Sequence, residues 1–119
     1  MLLYLVMLRK GGIDLRFTSY LQDGKLSIVL TGEIDHQCAK NYMDAIASKI
    51  EVYTPAECVL DFDQVPFMDS SGIAVVINAL RCMNRINGRL TVTGLRSQPM
   101  RVFRVSGIDR LVDLEEVSL

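Results

Sequence analysis

The chain has no tryptophan, one histidine, three cysteines and three prolines among its 119 residues. Each scarcity excludes something. The cysteines Cys38, Cys58 and Cys82 are isolated, odd in number and free of Cys-x-x-Cys spacing. They form no disulfide framework and read as small apolar residues in a reducing compartment. With His36, Glu33 and Asp35 nearby, Cys38 invites a metal reading, but the spacing fits no zinc pattern. His36 reads instead as an exposed residue at a helix start, so neither a metal nor any other cofactor is expected. Charge of one sign is also missing: 13 Lys and Arg face 14 Asp and Glu, for a net −1. Nothing in that balance argues for direct nucleic-acid binding or for a basic partner. The longest apolar run, Met1 to Leu8, is far short of the ~20 residues that span a bilayer. Its charges, Arg9 and Lys10, follow it instead of preceding it as in a secretory signal. A cytoplasmic protein without a transmembrane segment is expected.

What is present suffices for one core: half the residues are hydrophobic, in a length suited to a single domain. Gly11-Gly12 sets residues 1–12 apart as an apolar extension, with the domain proper over 13–119. Leu15 to Tyr20 alternates apolar and polar, Asp23-Gly24 signals a turn, and Leu26 to Thr31 follows as a second strand. Gly32-Glu33-Ile34-Asp35 leads into a helix with Asp35 as N-cap and Ala39, Met43, Ile46 and Ile50 as its apolar stripe. Tyr53-Thr54-Pro55 stops it. Cys58 to Phe62 is a third strand. A second helix begins near Ile73, with Ile73, Val76, Ile77, Leu80, Met83 and Ile86 facing inward. Asn87-Gly88 closes that helix, and Arg89 to Thr93 is a fourth strand. Ser97 with Pro99 opens a third helix with Val102, Phe103 and Val105 on its apolar side, and Gly107 ends it. Leu111 to Leu114 is a short fifth strand. The order ββαβαβαβ predicts an α/β fold, a mixed sheet of about five strands covered by helices with right-handed crossovers.

Between the third strand and the second helix lies Phe67-Met68-Asp69-Ser70-Ser71-Gly72. Asp69 or Ser70 can cap the helix, since their side-chain oxygens accept from free backbone N–H groups. Two features ask for more than a cap. Pro66-Phe67-Met68 is apolar where a plain loop is polar, which predicts a packed approach. Gly72 costs helix stability relative to Ala, and close approach by another molecule would account for it. A Gly-x-Ser-x-Gly hydrolase elbow would also sit between strand and helix. Here no Gly stands two residues before either serine, and the lone histidine has no supporting motif. No enzymatic activity is assigned. Glu33 and Asp35 lie together on one loop without a nucleophile, and read as a cap and a solvated loop.

Asp69-Ser70-Ser71-Gly72, with Gly32-Glu33-Ile34-Asp35 upstream and Ser106-Gly107-Ile108 downstream, resembles the STAS domain, and within it the bacterial anti-sigma factor antagonists. The resemblance runs from about Ile13 to about Glu116. It implies that Ser71, the second serine of the turn, is phosphorylated by an anti-sigma factor that is itself a serine kinase. It implies a partner-binding surface made of Glu33, Asp35, Met68, Asp69, Ser70, Ser71 and Gly72. The unphosphorylated protein would bind the kinase and release a sigma factor, and a serine phosphatase could reverse the modification. The alternative is a constitutive STAS module, a scaffold or transporter-associated subunit, in which the serines only cap a helix. A monomer or weak homodimer is expected. Relatives of this kind carry a further C-terminal helix, for which the sequence after the last strand leaves too few residues. The apolar segment Leu2 to Leu8 is therefore expected to pack on the surface left bare, in its own chain or a neighbour's, unless translation starts at Met7.

Overall fold

A computed structural model describes the backbone of residues 2–10 and 13–115. The elements in order are β1 (Leu2–Lys10), β2 (Ile13–Gln22), β3 (Lys25–Thr31), α1 (His36–Tyr53), β4 (Glu57–Gln64), α2 (Ser71–Arg85), β5 (Arg89–Thr93), α3 (Ser97–Ser106), a 3-10 turn (Ile108–Arg110) and β6 (Asp113–Glu115). The expected ββαβαβαβ order is present, with one strand added ahead of it. Among the described residues the sheet has six strands in sequence order, β1 to β6. β1, β2 and β3 are antiparallel neighbours, and β3 to β6 run parallel.

The added strand is the apolar segment set apart by the sequence. Leu2 to Lys10 pairs with β2 along its whole length, from Leu2 opposite Leu21 to Lys10 opposite Ile13. It meets its own chain as the edge strand beyond β2, at the opposite end of the sheet from β6. Gly11, Gly12 and the tail after Glu115 lie outside the described residues.

β3, β4 and β5 are each followed by a helix that crosses over to the next strand in line. Right-handed crossovers that always step the same way place their helices on one face. That face carries Phe17, Leu26, Ile28, Leu30, Cys58, Leu60, Phe62, Leu90 and Val92, all buried with residues of α1 and α2. α1 packs on α2. α3 is pinned by Phe103, whose ring meets Phe62 edge-on at 5.7 Å. Both rings are fully buried, each adding about 1.5–3 kcal/mol to stability.

Where the helices begin and end follows from the caps. Asp35 is the N-cap of α1: its carboxylate accepts from the N–H groups of Gln37 at 3.0 Å and Cys38 at 3.2 Å. The Cys38 sulfur accepts from the Asp35 N–H at 3.4 Å, closing a reciprocal box. Thr54 in the left-handed region ends α1, and Gly107 at φ 81° ends α3. Ser106 joins that second stop by donating to the Phe103 carbonyl at 2.8 Å and accepting from the Ile108 N–H at 3.3 Å. Ile108 then turns inward.

Several expected faces differ. In α2 the most buried residues are Val75, Val76, Ala79 and Met83, whereas Ile77 and Leu80 are half-buried. The helix rotates its small residues inward because it packs on both α1 and the sheet. In α3, Val105 is 84% exposed. With Phe103 committed to the core, a residue two positions on is turned about 200° around the axis and faces water. Leu111, expected in the last strand, is exposed ahead of β6.

Candidate functional site

β3 and β4 deliver their C-terminal loops to the same end of the sheet, and these loops join. The Ile34 N–H donates to the Phe67 carbonyl at 3.2 Å, and the Asp69 N–H donates to the Ile34 carbonyl at 3.2 Å. This forms a parallel bridge between Ile34 and Met68. The Gly32 N–H reinforces it by donating to the Gln64 carbonyl at 2.9 Å. The loop holding Glu33 and Asp35 is thereby fastened beside the turn holding Asp69, Ser70 and Ser71.

In a parallel bridge of this kind the N–H and C=O of Met68 point away from Ile34. Gln98, in the first turn of α3, meets both. Its amide nitrogen donates to the Met68 carbonyl at 2.9 Å, and its amide oxygen accepts from the Met68 N–H at 2.9 Å. One side-chain amide thus does the work of a neighbouring strand, and the approach to the serine turn is held on both sides. Sequence reading missed Gln98; a contact across thirty positions leaves no local pattern.

The turn itself is built on Asp69. Its carboxylate accepts from the Ser71 N–H at 2.7 Å, and its carbonyl accepts from the Gly72 N–H at 3.0 Å. The Ile73 N–H donates to the Ser70 carbonyl at 3.1 Å. The first N–H groups of α2 are therefore already engaged within the chain. Ser70 sits at the N-cap position but caps nothing with its side chain. Asp69 alone provides the side-chain cap, the role shared between the two by the sequence.

Of the seven residues expected at a partner surface, five are accessible. Glu33, Asp35 and Ser70 are exposed, and Asp69 and Ser71 are half-buried. Met68 is fully buried and Gly72 is buried. A Cβ on Gly72 would lie 2.6 Å from the Met68 sulfur and 3.2 Å from the Met68 Cβ. The close approach expected from another molecule is thus supplied by the protein's own Met68, and these two residues shape the surface from beneath. Phe67, by contrast, is 46% exposed. The apolar approach is packed at Val65 and Met68 but open at Pro66 and Phe67. Phe67 thus adds an exposed aromatic ring to the loop that carries Asp69, Ser70 and Ser71.

The cysteines lie away from this turn or serve structure. Burial pushes the Cys58 thiol up to about 12, with a smaller contribution from Cys82. Burial also raises Cys38, helped by the side chain and charge of Asp35 and opposed by the hydrogen bond to the Asp35 backbone. A thiol held neutral is a poor nucleophile. No helix among the described residues is long and apolar enough to cross a membrane.

The family model for the STAS domain matches residues 12–118. The anti-sigma-B factor antagonist of Listeria monocytogenes is 27% identical over 95 residues, covering 77% of this chain and 80% of the relative. Among solved structures, the anti-sigma factor antagonist SpoIIAA in its unphosphorylated form superposes with a TM-score of 0.66 at 23% identity, over 86% of this chain and 89% of that one. The phosphorylated form of Bacillus SpoIIAA gives 0.67 at 23% identity, over 86% of this chain and 91% of that one. A sulfate transporter family protein from Wolinella succinogenes gives 0.67 at 15% identity, over 82% of each chain. At these identities the superpositions speak to the fold, and the match of the family model over nearly the whole chain speaks to descent. The chain belongs to the STAS domain family.

Proposed function

We propose that this protein is a phosphorylation-regulated anti-sigma factor antagonist. Unphosphorylated, it docks the surface formed by Glu33, Asp35, Phe67, Asp69, Ser70 and Ser71 onto an anti-sigma factor kinase and so frees a sigma factor. The observation that carries this reading is the bridge between Ile34 and Met68, which fastens the Glu33–Asp35 loop against the serine turn. Two motifs far apart in sequence become one surface with Ser71 at its centre. Similarity to anti-sigma factor antagonists, one of them solved with and without phosphate, supports it.

Phosphate on Ser71 adds about −1.5 to −2 charges. The first N–H groups of α2 are already taken, and the Asp69 carboxylate lies against the Ser71 backbone. The new charge is therefore poorly neutralised within the chain and falls on a surface already bearing Glu33 and Asp35. It opposes docking by bulk, repulsion and desolvation, and each 1.4 kcal/mol lost is about tenfold in affinity. No rearrangement of the fold is needed. A serine phosphatase acting on phospho-Ser71 would reset the switch.

The test compares binding of wild type, Ser71→Ala and Ser71→Asp to the candidate kinase, with and without ATP. Wild type should lose binding on phosphorylation, Ser71→Ala should keep it in ATP, and Ser71→Asp should bind more weakly. Equal binding by all three under all conditions would favour the constitutive module instead.

A further inference from the structure

α3, its N-cap residue and the 3-10 turn after it carry four arginines, Arg96, Arg101, Arg104 and Arg110, against one acid, Asp109. All four arginines are exposed. None forms an ion pair or side-chain hydrogen bond with any described residue. The ion pairs of Lys40 with Asp44 and of Arg89 with Asp113 lie elsewhere. Positive charge is thus gathered on one short element of a chain whose net charge is −1.

Apolar surface accompanies it. Among the residues whose burial is described, Val105 is the most exposed of the large hydrophobics, at 84%, and Leu111 follows the same unit at 66%. Arg96, Arg101 and Arg104 line a single open cleft of about 450 Å³ together with Leu95, Met100 and Val105. Among the described residues no acidic side chain lines it. A second cleft of about 600 Å³ shares Arg96, Met100 and Arg104, and there Asp63, Asp109 and Glu115 join the wall. Arg101, Arg104 and Val105 stand three and four positions apart, so they share one face of the helix.

We propose that this face of α3 is a docking surface for an acidic peptide segment with an apolar anchor, separate from the Ser71 surface and independent of its phosphorylation. The charge calls for carboxylates: three guanidinium groups on one cleft attract anions and bond carboxylates in pairs. The exposed Val105, with the half-buried Leu95 and Met100 beside it, calls for a side chain that leaves water with them. An inorganic phosphate or a bare polyanion would satisfy the arginines and leave Val105 wet. A membrane would cover Val105, but a ten-residue helix with one exposed valine presents little apolar face to insert. A protein segment with acidic residues flanking a leucine answers both halves of the surface.

The probe is a synthetic glutamate-rich peptide with a central leucine, titrated into isotope-labelled full-length protein while backbone amide shifts are followed. Its companions are the same peptide with serine for leucine, inorganic phosphate, and vesicles of anionic phospholipid. Amide shifts should gather between Leu95 and Val112. Affinity should fall about tenfold or more in an R101E/R104E variant and severalfold in Val105→Ser, with melting temperature unchanged in both. The serine peptide should bind more weakly than the leucine peptide. Shifts confined to other elements, equal affinity in R101E/R104E, or no binding by the peptide would each overturn the proposal. Phosphate reproducing the same shifts at equal affinity would reduce the site to a small-anion cleft, and tighter binding to vesicles would make it a lipid surface; either result overturns it as well.

Discussion

Substituting Gly72 by Ala separates two opposed effects of known size. Gly72 has an ordinary helical φ in the first turn of α2, so the added methyl would favour the helix by up to about 1 kcal/mol. The structure sets a larger cost against that gain. The new Cβ would stand 2.6 Å from the Met68 sulfur, with Met68 Cβ and Cγ at 3.2 Å. Met68 is fully buried and its backbone is bonded through Gln98, so it has little room to retreat. Overpacking of a filled site costs about 1–3 kcal/mol, leaving Gly72→Ala destabilising by about 0–2 kcal/mol. Urea denaturation would measure this, run as a double-mutant cycle with Met68→Ala. That second change alone should cost about 2–5 kcal/mol, but it opens the space that the added methyl would occupy. In the Met68→Ala background, Gly72→Ala should therefore turn neutral or stabilising, with a coupling of about 1 kcal/mol or more. An alanine that stabilises the wild-type background, or a cycle without coupling, would refute the packing argument. The turn should also shift with Met68, so partner affinity should drop even where stability changes little.

Other consequences follow from the same geometry. Gln98→Ala leaves the N–H and C=O of Met68 without their partner and should cost about 1–3 kcal/mol; faster hydrogen exchange at Met68 and Asp69, with α1 unchanged, would identify the clamp as the cause. Cys58 keeps its proton in the folded state up to about pH 12, against 9.0 for an ordinary thiol. Folding is therefore favoured fully below pH 9, and the contribution fades as pH rises from 9 toward 12. Iodoacetamide at about pH 8, near the ordinary thiol range, should leave Cys58 unmodified in the folded protein and label it in urea; rapid labelling of the native protein would contradict the burial. Deleting residues 1–10 removes β1 and uncovers the edge of β2, so the melting temperature should fall or the oligomeric state change. A truncated protein unchanged in both would show that β1 contributes nothing to the fold.

Local rules carried the sequence a long way. Asp35 announced α1 because an Asp ahead of an apolar stripe has one strong use, and it caps there. Arg89 to Thr93 is β5 to the residue. The Leu2–Leu8 run showed no alternation, and only pairing with β2 makes it a strand. Val105 was legible in principle, since Val105 and Phe103 cannot share a helix face. The site divides in the same way. Asp69, Ser70 and Ser71 were readable from a strand–turn–helix junction, and Glu33 with Asp35 from a helix entry. That Ile34 joins the two, that Gln98 holds Met68, and that Met68 fills the space beside Gly72 are long-range contacts. They depend on which strands become neighbours, and no local periodicity reports that.

Everything proposed for the serine turn depends on Ser71 being the switch. The most direct test is to incubate the protein with ATP and the anti-sigma factor kinase it binds, and to locate the phosphate by mass spectrometry. Ser70 is the more exposed residue of the pair, so the experiment discriminates between the two serines. A single phosphate is expected on Ser71, absent in Ser71→Ala and accompanied by release from the kinase. Phosphate chiefly on Ser70, or none on either serine while the complex forms, would contradict it.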